Sequence, residues 1–298
     1  MRFSILIPVY NVDVRCLLKE IYEQSNAMSS DFEILIFDDA SSSEFQLSAS
    51  ELEPFPEVDY RLLETNLGRS KIRNLLISEA KFEHCLIMDC DMMPTRTDDV
   101  KRYFEALQHA DVVVGGHVYQ CNPPEDSAFY LHWLYGSKYE VQSLKKRQQD
   151  AFSSFKTSVF GFRKTKFETL NFDETISTYG HEDTCFGWEM ESNKLNIKHI
   201  DCPFLHLGLE PTSSFLEKQN SAIENLYALY QNPKYRTKLE ANSRLIRWTK
   251  SPVIRCFAVL LNPYSKYRLK KNKPSLWALQ VFKLNRWISL TKSLATKT

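Results

Sequence analysis

Short apolar runs and amphipathic stretches alternate along the first 115 residues of the chain. Each apolar run predicts one buried strand, and the five runs lie at residues 3–7, 33–37, 60–63, 85–88 and 112–114. Between them, apolar residues recur at helical spacing in three stretches, at residues 13–24, 69–80 and 98–108. This alternation predicts an α/β fold with a central, mainly parallel sheet and helices on both of its faces.

The pattern is less regular in the second half of the chain. Residues 125–150, which are aromatic and then basic, predict helix, and residues 158–163 predict a further strand. Helical spacing returns at residues 181–192 and 213–231, and Pro233 lies just beyond the second of these stretches. The second half therefore adds one strand and several helices to the predicted sheet.

The balance of charges changes abruptly near residue 240. Of the 38 Lys and Arg residues, 13 lie in residues 241–298, which contain no Asp or Glu. The first 240 residues therefore carry a formal charge of about −12 and the tail carries +13, although the whole chain carries only +1. We predict a main domain over residues 1–240, with halves at 1–115 and 116–240, and a basic, aromatic helical extension over 241–298.

The cysteines and the apolar segments indicate where the protein works. Seven cysteines without a CxxC pair argue against a disulfide framework and a structural zinc site, and favour a reducing compartment. The apolar run after Arg2 lacks the length and flanks of a signal peptide. The most apolar stretch of the tail, residues 253–261, has nine residues, whereas spanning a bilayer takes roughly 20. We expect a cytoplasmic protein without a transmembrane helix.

Polar clusters follow three of the predicted strands. Pro8-Val9-Tyr10-Asn11 follows the first strand, Asp38-Asp39-Ala40-Ser41-Ser42 the second, and Asp89-Cys90-Asp91 the fourth. In open parallel sheets, ligands bind beyond the carboxyl ends of the strands. The paired carboxylates need a counterion, and Mg²⁺ or Mn²⁺ suits carboxylates together with diphosphate oxygens. An Asp-x-Asp triplet alone also fits a solvated strand end.

Several short motifs follow one another in a recognisable order. The first block consists of Ser4-Ile5-Leu6-Ile7-Pro8-Val9-Tyr10-Asn11, Phe37-Asp38-Asp39-Ala40-Ser41, Asn66-Leu67-Gly68-Arg69 with Arg73-Asn74, and Met88-Asp89-Cys90-Asp91. The second block consists of Gly161-Phe162-Arg163, Asn171-Phe172-Asp173-Glu174 and Gly180-His181-Glu182-Asp183-Thr184. Over roughly residues 2–230, this arrangement resembles family 2 glycosyltransferases, especially galactosyl and N-acetylgalactosaminyl transferases. The resemblance implies a Rossmann-like, A-type glycosyltransferase fold and a UDP-sugar donor.

The resemblance also assigns residues to the nucleotide side of the site. It implies that Pro8 and Tyr10 line the base pocket and that Asp39 holds the uracil or the ribose, with Asp38 as the alternative. Neighbouring residues of an extended chain point in opposite directions, so only one of the two aspartates is expected in that role. Arg73, on a helix that begins near Gly68, could face the nucleotide or lie on the plain surface.

A metal site and a base are implied in the same way. Asp89 would meet the ribose or reach the metal through water, Asp91 would bind Mn²⁺ or Mg²⁺ directly, and His206 would complete the metal site. Asp183, with Glu182 beside it at a helix start, would accept the proton of the acceptor hydroxyl, and a helix N-terminus stabilises such negative charge. The implied reaction is that of a hexosyltransferase acting with inversion.

Other residues near these motifs have ordinary structural explanations. Trp188 could stack on a sugar face or lie in the core, and His117, His181 and His199 are expected to be structural. The motifs also depart from the family pattern in two places. Ala40 stands where the family usually has glycine, and the segment around Asp183 lacks the Trp-Gly pair of the similar transferases, so the sequence does not identify the donor sugar.

The basic tail allows more than one partner. Positive charges interleaved with Trp and Tyr are typical of helices that lie on an anionic membrane surface. Since the resemblance implies glycan or lipid-linked glycan acceptors, as in polysaccharide synthesis, the tail would place a peripheral enzyme at the inner face of the cell membrane. The tail could instead pack on its own acidic domain or on a partner subunit in a homo-oligomer. Nucleic-acid binding fits the charge but does not fit the carboxylate site.

Two other function classes are compatible with parts of the sequence. Sugar nucleotidyltransferases normally begin with a glycine-rich phosphate loop, and this chain has Pro8-Val9-Tyr10-Asn11 at that position. A catalytically degenerate scaffold or nucleotide-sugar sensor would be expected to lack the metal aspartate or the base. Asp91, Asp183 and His206 are all present, and they favour an enzyme.

Overall fold

The structure is a computed structural model that describes residues 2–175 and 179–295. Its strands, in chain order, are β1 (Phe3–Val9), β2 (Phe32–Asp38), β3 (Val58–Leu62), β4 (His84–Met88), β5 (Met92–Met93), β6 (Val112–Val114), β7 (His117–Val118), β8 (Val159–Arg163), β9 (Ile197–His199) and β10 (Phe204–His206). Its α-helices are α1 (Arg15–Asn26), α2 (Ala49–Leu52), α3 (Arg69–Glu79), α4 (Asp99–Leu107), α5 (Tyr130–Tyr135), α6 (Leu144–Gln149), α7 (Glu182–Ser192), α8 (Thr212–Gln231), α9 (Pro233–Asn242), α10 (Arg244–Thr249), α11 (Pro252–Leu269) and α12 (Leu276–Ala295).

The described residues form two compact units. The sheet unit contains residues 2–120, 139–175 and 182–208. The helical unit contains residues 121–138, 179–181 and 209–295. The helical unit therefore begins before residue 240, and it includes α8 and α9 as well as the basic tail.

A seven-stranded sheet in the order β3-β2-β1-β4-β8-β6-β9 runs through the sheet unit. β1 is parallel to β2 and β4, β2 is parallel to β3, and β6 is parallel to β9, whereas β8 runs against both of its neighbours. A second sheet has the order β5-β10-β7. The mainly parallel sheet predicted from the alternation of apolar runs is confirmed.

Side chains alternate between the two faces of β1 and divide the core into two clusters. Ile5 and Ile7 belong to the cluster that contains residues of α1 and α4. Leu6 belongs to the other cluster, which contains residues of α3 and α7 together with the buried rings of Phe160, Phe162, Phe172 and Phe186. Helices thus cover both faces of the sheet, as the continuous apolar runs require.

One predicted helix is interrupted. Residues 125–150 contain α5, a π-helical turn at Gly136–Glu140 and α6, rather than one long helix. The interruption occurs where Ser143 adopts an extended conformation and its hydroxyl accepts a hydrogen bond from the Lys146 amide, so that a new helix starts there.

The helical unit has a core of its own. Leu131 of α5 and Phe215 of α8 pack with Leu269, Ala278 and Leu279 from α11 and α12. Among the described residues, no helix is both long enough and apolar enough to cross a membrane.

Candidate active site

Five segments that carry polar residues meet at one edge of the main sheet. β1, β2 and β4 end there because they are parallel, and β6 ends there because it runs parallel to them across the intervening strand. β8 runs the other way, so the loop that precedes it lies at the same edge. The residues brought to this edge are Tyr10, Asp39, Asp89, His117 and Ser158.

The carboxylate of Asp38 forms its hydrogen bonds within the protein interior. Its side chain is fully buried, and its two carboxylate oxygens accept hydrogen bonds from the Ser41 amide and the Tyr60 hydroxyl, each at 2.8 Å. Burial, followed by the bond to Asp38, raises the pKa of Tyr60 to about 12. Asp38 therefore closes the turn after β2 and connects it to β3.

Asp39 holds the loop that leads into α3. Its two carboxylate oxygens accept hydrogen bonds from the amides of Leu67 at 2.6 Å and Gly68 at 2.9 Å, and its own carbonyl accepts one from the Asn66 side chain at 3.0 Å. Gly68 has a φ of +82°, a conformation that favours glycine. Asp39 thus fixes the beginning of the helix that carries Arg73.

The turn that connects Asp38 and Asp39 to Ser41 contains a strained backbone conformation. Ala40 has a φ of +63°, in the left-handed region that side chains with a Cβ disfavour. This is the position at which the sequence departs from the family by lacking glycine. The turn is held across the sheet edge, where the Asn11 amide donates to Ser41 Oγ at 2.8 Å and the Ser42 amide donates to Asn11 Oδ1 at 2.9 Å.

Tyr10 and Pro8 lie at the end of β1. Pro8 is half-buried opposite Phe37, whereas Tyr10 is 52% exposed. An exposed aromatic ring at the carboxyl end of a parallel strand is a surface on which a planar base can stack. Of the residues predicted for the nucleotide side, Tyr10 is the most accessible.

Arg73 is buried, so the surface alternative for this residue is wrong. Its guanidinium donates to Asp89 Oδ1 at 2.5 Å and lies 5.8 Å from the ring centre of Phe172. The Asp89 amide donates to the Ser158 carbonyl at 2.8 Å. Arg73 therefore holds the Asp89 carboxylate in place with a charge-assisted hydrogen bond.

Asp91 and His206 face each other across the second sheet. β5 and β10 pair in antiparallel fashion, and the Leu207 amide donates to the Asp91 carbonyl at 2.9 Å. This pairing leaves Asp91 Oδ2 3.6 Å from His206 Nε2. Burial, and secondarily the charge of Asp89, raises the pKa of Asp91, whereas the His206 charge lowers it. Asp91 Oδ1 is buried without a hydrogen-bond partner among the described residues.

Gly208 leaves room for the Asp91 carboxylate. A Cβ atom at position 208 would lie 2.0 Å from Asp91 Oδ2 and 2.7 Å from Asp91 Cγ. No side chain can occupy that space while the carboxylate keeps its position. The glycine thus preserves the orientation in which Asp91 faces His206.

Asp91 and His206 fit a divalent cation. They offer a carboxylate oxygen and an imidazole nitrogen at one point, and a cation would supply the partner that the buried Asp91 Oδ1 lacks. Within residues 2–175 and 179–295, no three His, Cys, Asp or Glu side chains gather into a complete metal site. The remaining ligands would have to come from a bound molecule or from water, as in metal sites completed by diphosphate.

His117 occupies an unexpected place beside this pair. Its ring centre lies 6.3 Å from that of His206, its Nδ1 lies 3.4 Å from Ser158 Oγ, and its Nε2 lies 3.9 Å from Glu140 Oε2. Burial, and then the charges of His206 and Lys156, lower the pKa of His117 to about 3. The sequence indicated only a structural histidine. The one feature of the sequence that could have drawn attention to His117 is the Gly115-Gly116 pair directly after β6.

The candidate base also has a partner that the sequence did not indicate. Asp183 lies in the first turn of α7, where Lys156 Nζ donates to its Oδ2 at 2.5 Å and the Thr184 amide donates to its Oδ1 at 2.7 Å. Glu182, the preceding residue, is buried and has Oε1 3.8 Å from Arg69 Nη1. Both acidic residues therefore face cations contributed by other segments.

His117 lies close to both the Asp91–His206 pair and the candidate base Asp183. The charges of both His206 and Asp183 act on its ring, so the candidate metal ligand His206 and the candidate base lie within electrostatic range of one side chain. Trp188 and His199, by contrast, have structural roles. Trp188 is 4% exposed, and the ring of His199 lies between the Ala151 carbonyl at 2.9 Å and the Arg147 guanidinium at 3.2 Å.

Comparisons with known proteins agree with this fold. A mannosyltransferase from Pyrobaculum calidifontis, solved with GDP-Man and Mn²⁺, is similar in structure with a TM-score of 0.63 at 15% identity, over 97% of this chain and 86% of the other. S. aureus TarS 1-349, solved with UDP, has a TM-score of 0.54 at 15% identity, over 100% of this chain and 92% of the other. These likenesses establish the A-type glycosyltransferase fold.

A search of the curated proteins found no match. The sequence model described as "Glycosyl transferase family 2" matches residues 4–170, which is more than half of the chain. The chain therefore belongs to glycosyl transferase family 2.

Proposed function

We propose that this protein is an inverting, metal-assisted hexosyltransferase that moves a sugar from a UDP-sugar to a hydroxyl group of an acceptor. The observation that carries the proposal is the pair Asp91 and His206, with a buried Asp91 oxygen that has no hydrogen-bond partner among the described residues. This pair lies at the sheet edge where open α/β proteins bind ligands. Solved proteins of the same fold contain UDP, UDP-GlcNAc, or GDP-Man with Mn²⁺.

In this proposal, Asp91 and His206 would hold Mn²⁺ or Mg²⁺, and Asp89 would contribute through water or meet the ribose. The cation would supply positive charge that offsets the charge developing on the departing diphosphate. Arg73 keeps Asp89 oriented through its hydrogen bond of 2.5 Å. Gly208 keeps the Asp91 carboxylate turned toward His206 by leaving the adjacent space free.

On the nucleotide side, Pro8 and Tyr10 line the pocket for the base. Asp38, the last residue of β2, and Asp39, which follows it, each already accept two hydrogen bonds with their carboxylates. We therefore assign Asp38 to the turn itself and Asp39 to the loop before α3, from which position Asp39 can accept a further hydrogen bond from uracil or ribose. A carboxylate has roughly four acceptor positions, which leaves Asp39 capacity for the nucleotide.

On the acceptor side, Asp183 takes the proton from the attacking hydroxyl. The new bond forms between the acceptor oxygen and the anomeric carbon while the bond from that carbon to the UDP oxygen breaks, so the configuration inverts. General-base assistance of this kind contributes roughly 10²- to 10⁴-fold. Glu182, paired with Arg69, is assigned to support the start of α7 beside the base.

We further propose a location and a class of acceptor. Residues 1–240 supply the transferase, with the nucleotide side in 1–115 and the acceptor side in 116–240. Residues 241–298 attach the enzyme peripherally to the inner face of the cell membrane. The acceptor is then a glycan or a lipid-linked glycan of cell-surface polysaccharide synthesis. The support for this location is the charge of +13 in the tail.

The experiment is to measure UDP release from a panel of UDP-hexoses with Mn²⁺ and simple glycoside acceptors. Asp183→Asn should retain UDP binding but lower acceptor-dependent turnover by roughly 10²-fold or more, because only the base is lost. Asp31→Asn, an exposed carboxylate before β2, is the matched control and should behave as wild type. Nuclear magnetic resonance of the product then reports its anomeric configuration. Retention of configuration, or full activity in Asp183→Asn, would refute the proposed mechanism.

A further inference from the structure

One face of α11 is apolar although it is exposed. Val253, Phe257, Leu260, Tyr264 and Tyr267 are spaced by four, three, four and three residues, so they lie on one side of the helix. Their exposure ranges from 53% to 69%. We call these five residues the α11 face. A row of large exposed apolar side chains of this length indicates an interaction surface.

The opposite side of α11 already supplies the packing of this helix. Ala258, Ser265 and Leu269 are at most 3% exposed. Ala258 packs with Leu284 and Ile288 of α12. The helix is therefore stabilised within the helical unit without the α11 face. Substitutions on the exposed side should consequently leave the helical unit folded.

Aromatic and basic side chains extend the α11 face toward the turn before α12. Trp277 is 46% exposed, and its ring centre lies 6.1 Å from that of Tyr264. The Lys271 ammonium lies 4.5 Å from the ring centre of Tyr267. Lys270 and Lys273 are exposed in the same turn. Tyr and Trp beside Lys are the residues that proteins place at the level of lipid headgroups.

The positive charge of the tail favours an anionic partner for the α11 face over a second copy of this chain. Residues 241–298 contain 13 basic residues and no acidic one. A second copy docked through the same face would bring like charges together, which opposes association. An anionic lipid surface complements both the positive charge and the apolar side chains.

We propose that the α11 face, with Trp277 and the lysines of the adjoining turn, inserts into the headgroup region of an anionic phospholipid membrane. The apolar side chains enter the boundary between headgroups and acyl chains, and Lys270, Lys271 and Lys273 contact lipid phosphates. This inference rests on the peripheral attachment included in the proposed function and names its surface. Insertion of the α11 face into a membrane does not depend on sugar transfer.

The test uses the full-length protein and sedimentation with vesicles, without nucleotide. Wild type should bind vesicles of phosphatidylglycerol and phosphatidylcholine, and should bind phosphatidylcholine alone at least tenfold more weakly. Phe257→Ser/Leu260→Ser and Lys270→Glu/Lys271→Glu/Lys273→Glu should each weaken binding to anionic vesicles at least tenfold. The matched controls, Leu62→Ser and Lys19→Glu/Lys101→Glu/Lys198→Glu, change exposed residues of the sheet unit and should bind as wild type.

Three results would overturn the inference. The first is wild-type protein that ignores anionic vesicles at low salt. The second is vesicle binding that survives both the apolar and the lysine variants. The third is a dimer, seen by analytical ultracentrifugation, that Phe257→Ser/Leu260→Ser dissociates, because a second copy would then occupy the face. UDP binding by the same preparations is measured separately. Intact UDP binding with failed vesicle binding refutes the membrane surface and leaves the donor site unaffected.

Discussion

The Asp183 carboxylate meets the Lys156 ammonium at 2.5 Å, although 27 residues separate them in the chain. A charge-assisted hydrogen bond at this distance fixes the direction in which the carboxylate points. We therefore regard Lys156 as a positioning residue that acts through the candidate base.

Replacing Lys156 tests that role. Lys156→Met should lower kcat by roughly tenfold or more, because the carboxylate loses the hydrogen bond that orients it, while KM for the UDP-sugar stays close to wild type. Lys156→Arg keeps the positive charge and should restore much of the activity. An unchanged kcat in Lys156→Met would mean that the ion pair does not position the base.

His117 gives the stability of the protein a dependence on pH. Burial lowers its pKa to about 3, whereas an unfolded histidine titrates near 6.5. Between these values the unfolded chain binds a proton that the folded chain does not, so stability falls as the pH drops below about 6.5. By linkage, this residue costs about 1.4 kcal/mol of stability at a pH of about 5.5 relative to neutral pH.

We expect His117→Gln to reduce that acid-dependent loss by about 1 kcal/mol. Urea unfolding at about pH 7.5 and about pH 5.5 measures the difference in free energy of unfolding between the two conditions. His109→Gln removes an exposed histidine and should keep the wild-type difference. An equal difference in all three proteins would show that His117 is not the group responsible.

At the level of elements, the short pair β5 and β10 positions the candidate metal ligands. The pair joins Met92–Met93 to Phe204–His206, and it leads directly to Gly208, where any Cβ would collide with Asp91. Orientation of the carboxylate therefore depends on a glycine that contributes no ligand atom.

Gly208→Ala should displace the Asp91 carboxylate and weaken binding of Mn²⁺ in the presence of UDP by roughly tenfold or more, since ligand geometry determines metal affinity. Leu207→Ala is the control, because it alters the neighbouring exposed side chain and keeps the backbone hydrogen bond to Asp91. Electron paramagnetic resonance of free Mn²⁺ measures the affinity. Equal affinity in Gly208→Ala and wild type would contradict this role for the glycine.

The turn after β2 contains a residue with a strained backbone conformation. Ala40 adopts a φ of +63°, which costs a residue with a Cβ roughly 1–2 kcal/mol. Ala40→Gly should therefore raise the free energy of unfolding by about 0.5–1 kcal/mol, after the greater flexibility of glycine in the unfolded chain is subtracted. Urea unfolding at neutral pH provides the measurement. Ala49→Gly, at the start of α2, is a helical control and should be destabilising.

The sequence predicted the elements whose residues form long, regular patterns. The five apolar runs before residue 115 became β1, β2, β3, β4 and β6. Four of these strands are almost entirely buried, whereas β3 lies at the edge of the sheet and is partly exposed. The short strands β5, β7 and β10 have two or three residues and no pattern of their own, so only tertiary pairing reveals them. That pairing is what brings His206 to Asp91.

The same distinction applies to the side chains of the site. The Asp-x-Asp triplet and the Glu-Asp pair are visible in the sequence because their members are adjacent. The partners Lys156 and Arg69 lie far from Asp183 and Glu182 in the chain, and no local pattern marks them. Arg73 could be placed on its helix but not in the interior, because burial of an arginine depends on its pairing with Asp89.

At the level of the whole molecule, the basic tail belongs to a folded unit. α11 and α12 contribute Leu269, Ala278 and Leu279 to the core that also contains Leu131 and Phe215. Ion pairs add to this packing, with Arg286 beside Glu224 and Lys250 beside Glu240 at 3.2 Å. Point substitutions are therefore a cleaner test of the tail than its removal.

Deleting residues 241–298 should expose Leu131 and Phe215 and destabilise what remains of the helical unit. Each large apolar side chain that loses its cover costs about 1.5–3 kcal/mol. We expect the truncated protein to aggregate or to unfold at a lower temperature, as followed by differential scanning calorimetry and size-exclusion chromatography. Deleting residues 296–298 alone is the control. A truncated protein with unchanged thermal stability would show that the tail is not part of this core.

Binding of UDP with and without Mn²⁺ tests the central claim most directly, because it isolates the donor site from the unknown acceptor. Isothermal titration calorimetry on wild type, Asp91→Asn and Asp31→Asn provides the affinities. We predict that Mn²⁺ strengthens UDP binding at least tenfold in wild type and Asp31→Asn, and has no such effect in Asp91→Asn. UDP binding that ignores Mn²⁺, or that keeps its metal dependence in Asp91→Asn, would contradict the account.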